Sequence, residues 1–539
     1  MNAASNNVVL LDCTLRDGGY YNNWDFARPV VDEYLLAMAA ARLDYVELGF
    51  RSFDKSTFRG ACFYTTDDYI RSIAVPPGLR LGVMMNASEV VGHADGVLAA
   101  TRSQFVPKAQ SPVSLVRFAC HLHEFEKTLP ACAWLKEQGY AVGINLMQIA
   151  DRTDAEIEQI GKLASAYPLD ALYFADSLGS MDPEQAAHIV GLLRRHWSGA
   201  LGIHTHDNMG KAVANSLSAV RAGVTWVDST VTGMGRGPGN AQTEYMAIEL
   251  GGMRGGEVNL SPLLALIRRH FGPMQQKYGW GKNPYYHLAG KYGIHPTYVQ
   301  EMLNDPRYGE AEILSVIEHL REVGGKKYSS ETMEAGRQMF GGSADGQWAP
   351  AEVMRGREVL VLGAGPGVVA HRAAIEQFVR RGKPYVVALN TQATIDEDLV
   401  DLRVASHPFR LLADSDAYRT LRQPLAAPAA RLPKAVLDKL DPERFHDFGL
   451  TVQRGAFGFG ERSAVVPSSL AIAYALAVAS SGRATRVLLA GFDGYGADDP
   501  RTTEMNELLA AYQAAEGAVP LVAITPTRYK VGTTSVYAL

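Results

Sequence analysis

Hydrophobic residues in the first half of the chain fall in short, near-continuous runs rather than in strict alternation. The runs are VVLLDCT from Val8, YVELGF from Tyr45, LRLGVMM from Leu79, SLVRFAC from Ser114, AVGINLM from Ala141, LDALYFADS from Leu169, LGIHTHD from Leu201 and WVDSTV from Trp226. Such runs predict strands covered on both faces, as in a parallel sheet. Between several of them apolar positions recur at helical spacing, as in PVVDEYLLAMAAARL and EQAAHIVGLLRRHW. Eight strand-then-helix units in about 250 residues match a (β/α)8 TIM barrel in count and length. An open doubly wound sheet shares the same grammar.

From Ser261 to Phe340 the strand pattern stops, and SPLLALIRRHFG, HPTYVQEML and EAEILSVIEHLREVGG predict helices. GGSADGQWAP, from Gly341, is rich in small and turn residues and reads as a linker. A second α/β pattern follows. EVLVL and PYVVALN predict strands, SSLAIAYALAVASSG a helix, and RVLLAGFDGY and PLVAITPT two more strands. The fold class expected is α/β. Residues 1–260 form the barrel, 261–340 a helical appendage, 341–354 a linker and 355–539 a Rossmann-like domain.

Composition narrows the functional classes. The 539 residues are 47% hydrophobic and 20% charged, which excludes disorder as the main state. A net charge of -5, from 52 basic and 57 acidic residues, sets up no field that recruits nucleic acid or membrane. Four cysteines (Cys13, Cys62, Cys120, Cys132) in so long a chain make neither a disulfide framework nor a zinc motif. No apolar run reaches the length of a spanning helix, and the first residues lack a basic segment leading into an apolar one. A cytoplasmic protein is expected.

In a barrel the active site lies at the carboxyl ends of the strands. Three such ends carry polar groups. In LLDCTLRDGG, Asp12 lies late in the first strand and Arg16 and Asp17 follow; burying an acid there costs energy unless it is paired or ligates a metal. In GIHTHDN, His204 and His206 are two residues apart and so face one side of a strand. TGMGRGPGNAQTE has four glycines in eight residues, which permits close backbone approach, and Asn240 adds a neutral oxygen. One carboxylate, two imidazoles and an amide suit a divalent ion such as Mn²⁺, Mg²⁺, Co²⁺ or Zn²⁺. An arginine beside such an ion stabilises an enolate. The plain structural alternatives are an Asp12–Arg16 ion pair, core histidines and a flexible loop.

LDCTLRDGG, HTHDN and GMGRGPGN together resemble the metal-dependent TIM-barrel aldolase/lyase superfamily that includes 4-hydroxy-2-oxovalerate aldolase, HMG-CoA lyase and isopropylmalate synthase. The resemblance spans about Val8 to Glu244. It implies metal ligation by Asp12, His204, His206 and Asn240, with Mn²⁺ first among the candidates. It implies that Arg16 polarises the oxo group and stabilises the enolate, that Asp17 orients it, and that Glu47 supports the site. The pyruvate aldolases carry a histidine four residues after the arginine; here that position is Tyr20, which acts as acid or base or lines the pocket. His287 and His295 are further candidates for the base. Arg51, Asn145, Gln148 and Asp176, near strand ends, are candidate substrate contacts. The implied reaction makes or breaks a carbon–carbon bond through a pyruvate-like 2-oxo acid, with an aldehyde or sugar-derived acceptor. The alternatives are a Claisen-type acyl-CoA synthase and a non-catalytic scaffold. A homo-oligomer is implied.

In the second α/β region, GAGPG after EVLVL falls short of the G-x-G-x-x-G fingerprint, because Pro366 intrudes and position 368 is Val. Its second strand ends in Asn390 rather than an acid, which disfavours NAD. Phosphate or nucleotide binding at Gly363, Gly365 and Gly367 is expected, with Asn390 at the end of the second strand. LGAGPG, VVALN, LAGFDGYGADDPRTTE and ITPTRY resemble a Rossmann-like domain of bacterial glycan-biosynthesis proteins, which implies a nucleotide or nucleotide-sugar ligand with Asp493, Arg501 and Glu504 as polar contacts.

Overall fold

The computed structural model describes residues 8–255, 258–330, 332–333, 345–432, 434–453, 455–496 and 499–539. Two compact units divide the chain: Met1–Glu301 with Val323–Tyr328, and Met302–Glu322 with Ser329–Leu539.

All eight strands expected in the first half form. They are β1 (Val9–Asp12), β2 (Tyr45–Phe50), β3 (Arg80–Asn86), β4 (Leu115–Cys120), β5 (Ala141–Leu146), β6 (Ala171–Asp176), β7 (Ala200–Thr205) and β8 (Trp226–Ser229). Each pairs in parallel with the next, and β8 returns to β1 through Val9↔Trp226 to Asp12↔Ser229, closing the barrel. The open-sheet alternative is thereby removed. The continuous apolar runs serve two cores at once. Val46, Leu48, Val116, Phe118, Leu172, Phe174 and Ile203 face the surrounding helices. The residues between them, Leu11, Tyr45 and Leu115 with Trp226, plug the barrel interior. Local signals start the helices: Thr153 and Glu156 cap the helix Asp154–Ala164 reciprocally. Asp182 caps Pro183–Arg194, whose first residue is a proline.

The segment expected as one appendage divides. The helices at Ser261–Leu266, Gly272–Tyr278, Pro284–Lys291 and most of Thr297–Asn304 belong to the barrel unit, whereas Glu310–Val323 belongs almost wholly to the second unit. Its apolar side chains Ile313, Val316, Ile317 and Leu320 are buried, and an amphipathic pattern does not say which core it serves. Of the expected linker, 341–344 lie outside the described residues. The next residues are tethered: Gln347 and Trp348 donate to the Asp447 carbonyl at 2.9 Å each, and Trp348 stacks on His446.

The second unit is built on an all-parallel sheet. Its strands are β9 (Glu358–Leu362), β10 (Tyr385–Leu389), β11 (Leu402–Val404), β12 (Leu425–Ala427), β13 (Phe445–Asp447), β17 (Arg486–Ala490), β18 (Leu521–Ala523) and β19 (Gly532–Thr533), in the order 13-12-11-10-9-17-18-19. A small second sheet holds β14 (Gly449–Val452), β15 (Gly458–Phe459) and β16 (Ser463–Val466). Val359 and Val361 face the almost wholly buried helix Ala471–Ser481, while Leu360 and Leu362 face the helix Arg372–Gly382. The sequence pattern predicts β9, β10, β17 and β18. It misses β11 to β13 because three residues are too few to show a period.

Candidate active site

The pleat decides which polar side chains reach the barrel axis, because successive residues of a strand point to opposite faces. Two residues beyond the plug residues Tyr45, Leu115 and Trp226 stand Glu47, Arg117 and Asp228, on the same inward face. His204, near the end of β7, and His206, one residue past it, lie on the same inward side. A layer of charge therefore lies directly above an apolar floor.

These side chains close into a ring. Arg16 donates through Nη1 to Asp17 Oδ1 and through Nε to Glu47 Oε1, both at 2.5 Å. Glu47 Oε2 accepts from Arg117 Nε at 2.7 Å, and Arg117 Nη1 donates to both oxygens of Asp228 at 2.9 Å. Asp228 Oδ2 accepts from His204 Nδ1 at 3.0 Å, and His204 Nε2 lies 3.4 Å from Asp17 Oδ2. The six side chains are at most 7% exposed. The ring sets three carboxylates, Asp17, Glu47 and Asp228, against two guanidiniums, Arg16 and Arg117, with His204 between Asp228 and Asp17. Burial works to raise Asp17, but Arg16, His204 and His206 outweigh it and hold the carboxyl below its usual range. Asp228 is held low in the same way, by Arg117 and His204 against burial.

The histidines are prepared as ligands. His206 Nδ1 lies 2.9 Å from the Asp176 carbonyl, which only accepts, so the ring proton is on Nδ1 and the Nε2 lone pair is free. Burial first, then His204 and Arg236, pushes His206 down to about 3, so its ring is neutral. His204 is oriented likewise by Asp228. Such outer partners fix the tautomer and aim of metal-ligating histidines. Asn240 is brought to the same place by a backbone bridge to His206. Its Nδ2 donates to Asp17 Oδ2 at 2.8 Å, and its buried Oδ1 has no protein partner. The loop before it folds back tightly: a Cβ on Gly239 (φ +80) would lie 2.0 Å from the Gly233 carbonyl oxygen. Cys13, a residue the sequence reading does not single out, completes a group with Asp17 and His204 whose ligand atoms all lie within 4.8 Å of one another. Burial, then Asp17, pushes the Cys13 thiol up, so it stays protonated and is the weakest donor of the set. A carboxylate, two imidazoles and an orphaned amide oxygen fit a divalent ion. Arg16 Nη2, also buried, has no protein partner and remains available to an anionic ligand beside it.

Other expectations are corrected. Asp12 is not in this group. It shares the outward face of β1 with Leu10, and its carboxylate accepts from Thr14 N (2.8 Å), Tyr34 OH (2.5 Å) and Thr243 Oγ1 (2.5 Å). Asp17, five residues on and past the strand end, occupies the position assigned to it. Arg51 is buried and bonded to Asp67, the Gln104 carbonyl and the Thr65 carbonyl, so it ties loops together rather than facing a substrate. Asp176 turns its carboxylate onto the Ser180 and Met181 amides; burial, against those bonds, pushes it up to about 7. Gln148, in a left-handed conformation (φ 57), reaches the Lys326 carbonyl at 3.4 Å. Asn145 remains in keeping with a site contact: it is 4% exposed, with an unpartnered Oδ1. Tyr20 is 44% exposed, edge-on to Trp24, with the Arg236 guanidinium over its ring at 5.7 Å. Of the two further candidate bases, burial and then Arg236 push His295 down to about 3. His287 lines a separate cavity of about 610 Å3 with Asn208 and Lys282. Arg117 and Asp228 were missed, although SLVRFAC and WVDST show the same signal as LLDCT: a charge inside an apolar run.

In the second unit the expected residues separate into two places. Gly367 N, a donor suited to a phosphate, is given to Asp493 Oδ2 at 3.0 Å, and a Cβ on Gly365 would lie 2.2 Å from that oxygen. The turn holds its own carboxylate where an anion was expected, and its glycines serve close packing. Asn390, Arg501 and Glu504 instead line one cavity of about 710 Å3 with Arg410 and Tyr495. Arg501 is paired with Asp499 at 2.6 Å.

A closed parallel barrel whose strand ends gather a carboxylate, two imidazoles and an amide beside an arginine defines the class of metal-assisted barrel enzymes. The family model described as HMGL-like matches residues 7–266. The 4-hydroxy-2-oxovalerate aldolase 2 of Rhodococcus opacus (strain B4) is 30% identical over 280 residues, which are 51% of this chain and 77% of that protein. The oxaloacetate decarboxylase of Mycobacterium tuberculosis (strain ATCC 25618 / H37Rv) is 29% identical over 252 residues, 46% of this chain and 72% of that one. The solved HMG-CoA lyase of Bacillus subtilis is 17% identical, over 52% of this chain and 96% of that one, with a TM-score of 0.42. The chain belongs to the HMGL-like family, through its barrel. Among the described residues no helix is long and apolar enough to cross a membrane.

Proposed function

We propose that the barrel is a divalent-metal-dependent carbon–carbon lyase that works through the enolate of a 2-oxo acid. The observation that carries this reading is the pairing of two unspent groups in one buried place. Asn240 Oδ1 beside Asp17 and His204 has no donor in the protein, and Arg16 Nη2 has no acceptor in the protein. The relatives named for 4-hydroxy-2-oxovalerate and oxaloacetate support the substrate class, since both compounds are 2-oxo acids.

Asp17, His204, His206 and Asn240 would hold the ion. When bound, it would polarise the oxo group of the substrate as a Lewis acid. The chain's own residues do the rest. Arg16, fixed on two sides by Asp17 and Glu47, aims Nη2 at the oxygen that gains charge as the enolate forms. A preorganised donor of this kind stabilises the transition state without having to reorient. Tyr20, 44% exposed with the Arg236 guanidinium over its ring, is the polar group assigned to the entering acceptor. The test is exchange of pyruvate methyl protons in D₂O with Mn²⁺, followed by NMR. The wild type exchanges, and Arg16→Ala is slower by roughly 10²–10³-fold with Mn²⁺ affinity nearly intact. No exchange in the metal-loaded wild type, or equal exchange in the variant, defeats the reading.

A further inference from the structure

The reading above leaves Arg117, on β4, without a stated part. Resting on that reading, we propose that Arg117 is a positioning residue that locks Arg16 and His204 into one rigid unit without touching either.

Arg117 is fully buried. One edge of its guanidinium holds Glu47 Oε2 at 2.7 Å, and Nη1 spans both oxygens of Asp228 at 2.9 Å. Its face lies on the Tyr173 ring, 4.5 Å from the centroid. Each carboxylate has a second duty. Glu47 Oε1 accepts from Arg16 Nε, and Asp228 Oδ2 accepts from His204 Nδ1. A carboxylate held through one oxygen can pivot about its side-chain torsions; held through both, by partners on opposite sides, it cannot. Arg117 supplies the opposing hold in both cases. It thereby sets the aim of the enolate-facing guanidinium and of the metal-facing imidazole. Glu47 and Arg117 stand two residues beyond Tyr45 and Leu115 of the apolar floor, on the same inward face, and both are fully buried. Lysine would keep the charge and lose the planar fork that reaches two acids at once.

If Arg117 merely offset two buried acids, substitution would change stability alone. The positioning role predicts a split pattern instead. Mn²⁺ affinity, read by electron paramagnetic resonance titration, and pyruvate exchange at saturating Mn²⁺ are measured separately, with thermal midpoints recorded. Asp228→Asn, which loosens the His204 arm directly, weakens Mn²⁺ binding by about 10–100-fold and slows exchange at saturating metal less than Arg117→Lys does. Glu47→Gln, which loosens the Arg16 arm directly, slows exchange at saturating metal and weakens Mn²⁺ affinity less than Asp228→Asn does. Arg117→Lys does both, and Arg117→Met does both more strongly. Wild-type affinity and exchange in folded Arg117→Lys overturn the proposal. Should that variant fail to fold, wild-type values in both Asp228→Asn and Glu47→Gln overturn it. A wild type that binds no Mn²⁺ defeats the proposed function as well. A wild type that binds and exchanges beside an equally active Arg117→Lys defeats this inference alone.

Discussion

The two halves of the chain are written in the same grammar of buried parallel strands followed by helices, yet two strand-end carboxylates, Asp17 and Asp493, are spent in opposite ways. In the barrel, closure turns the strand ends toward one axis. Side chains from β2, β4, β7 and β8 and from the segments after β1 and β8 meet there, and some of their hydrogen-bonding capacity is left over, at Arg16 Nη2 and Asn240 Oδ1. In the second unit the sheet is open and its strand ends fan out. Asp493, after β17, spends its carboxylate on the Gly367 amide after β9, and the glycine turn closes on itself. A carboxylate past a strand end is thus no evidence of a site. What matters is whether neighbouring elements leave it a polar group that the protein does not satisfy.

The sharpest way to break this comparison is to remove one carboxylate from each setting. Asp17→Asn is expected to lower Mn²⁺ affinity by ~10³-fold, about 4 kcal/mol, while Asp12→Asn and Asp493→Asn stay within a few-fold of wild type. Calorimetric titration checks this, and a strong loss in Asp12→Asn would return the ligand role to the strand itself.

A second contrast uses Asp176, whose carboxyl is pushed by burial up to about 7 from an ordinary 3.8. Because the folded form holds its proton more tightly than the unfolded chain, Asp176 favours folding at acidic pH, and that contribution is lost as pH rises from about 4 through 7. Relative to wild type, Asp176→Asn should therefore gain about 2–4 kcal/mol between pH 5 and pH 8. Thermal midpoints of both proteins across that range read the difference, and parallel curves would show that Asp176 does not titrate there. The smallest effect is expected in the second unit. Gly365→Ala places a methyl against Asp493 and the Gly491 carbonyl and should cost about 1–3 kcal/mol, with barrel Mn²⁺ binding untouched. A neutral outcome would mean that the turn is looser than its contacts imply.

Much of this was legible in the residues. The eight runs between Val8 and Val231 marked the barrel strands, and HTH, RDG and the glycine-rich loop marked the mouth. The misreading of Asp12 has a simple cause. The resemblance places the ligand on Asp12, but counting the pleat from Leu11 turns that residue outward, since one residue of parity moves a side chain from the axis to the helix layer. The same count, applied to Tyr45, Leu115 and Trp226, finds Glu47, Arg117 and Asp228. For Arg51 and Asp176 no count would have sufficed, because their partners, Asp67 and the amides of Ser180 and Met181, are chosen by loop conformation.

The order of apolar and polar residues therefore dictated the strands, the helices and the identity of the chemistry-bearing groups, because periodicity and turn propensity act over a few neighbouring positions. Only the closed barrel decided which of those groups meet. Arg16, Glu47, Arg117, His204 and Asp228 are up to 212 residues apart in sequence. Their contacts depend on strand register and shear, which no local pattern encodes. The same holds for what the ring leaves unsatisfied, and it is that remainder, rather than the presence of any one residue, that marks a place for an ion and an oxyanion.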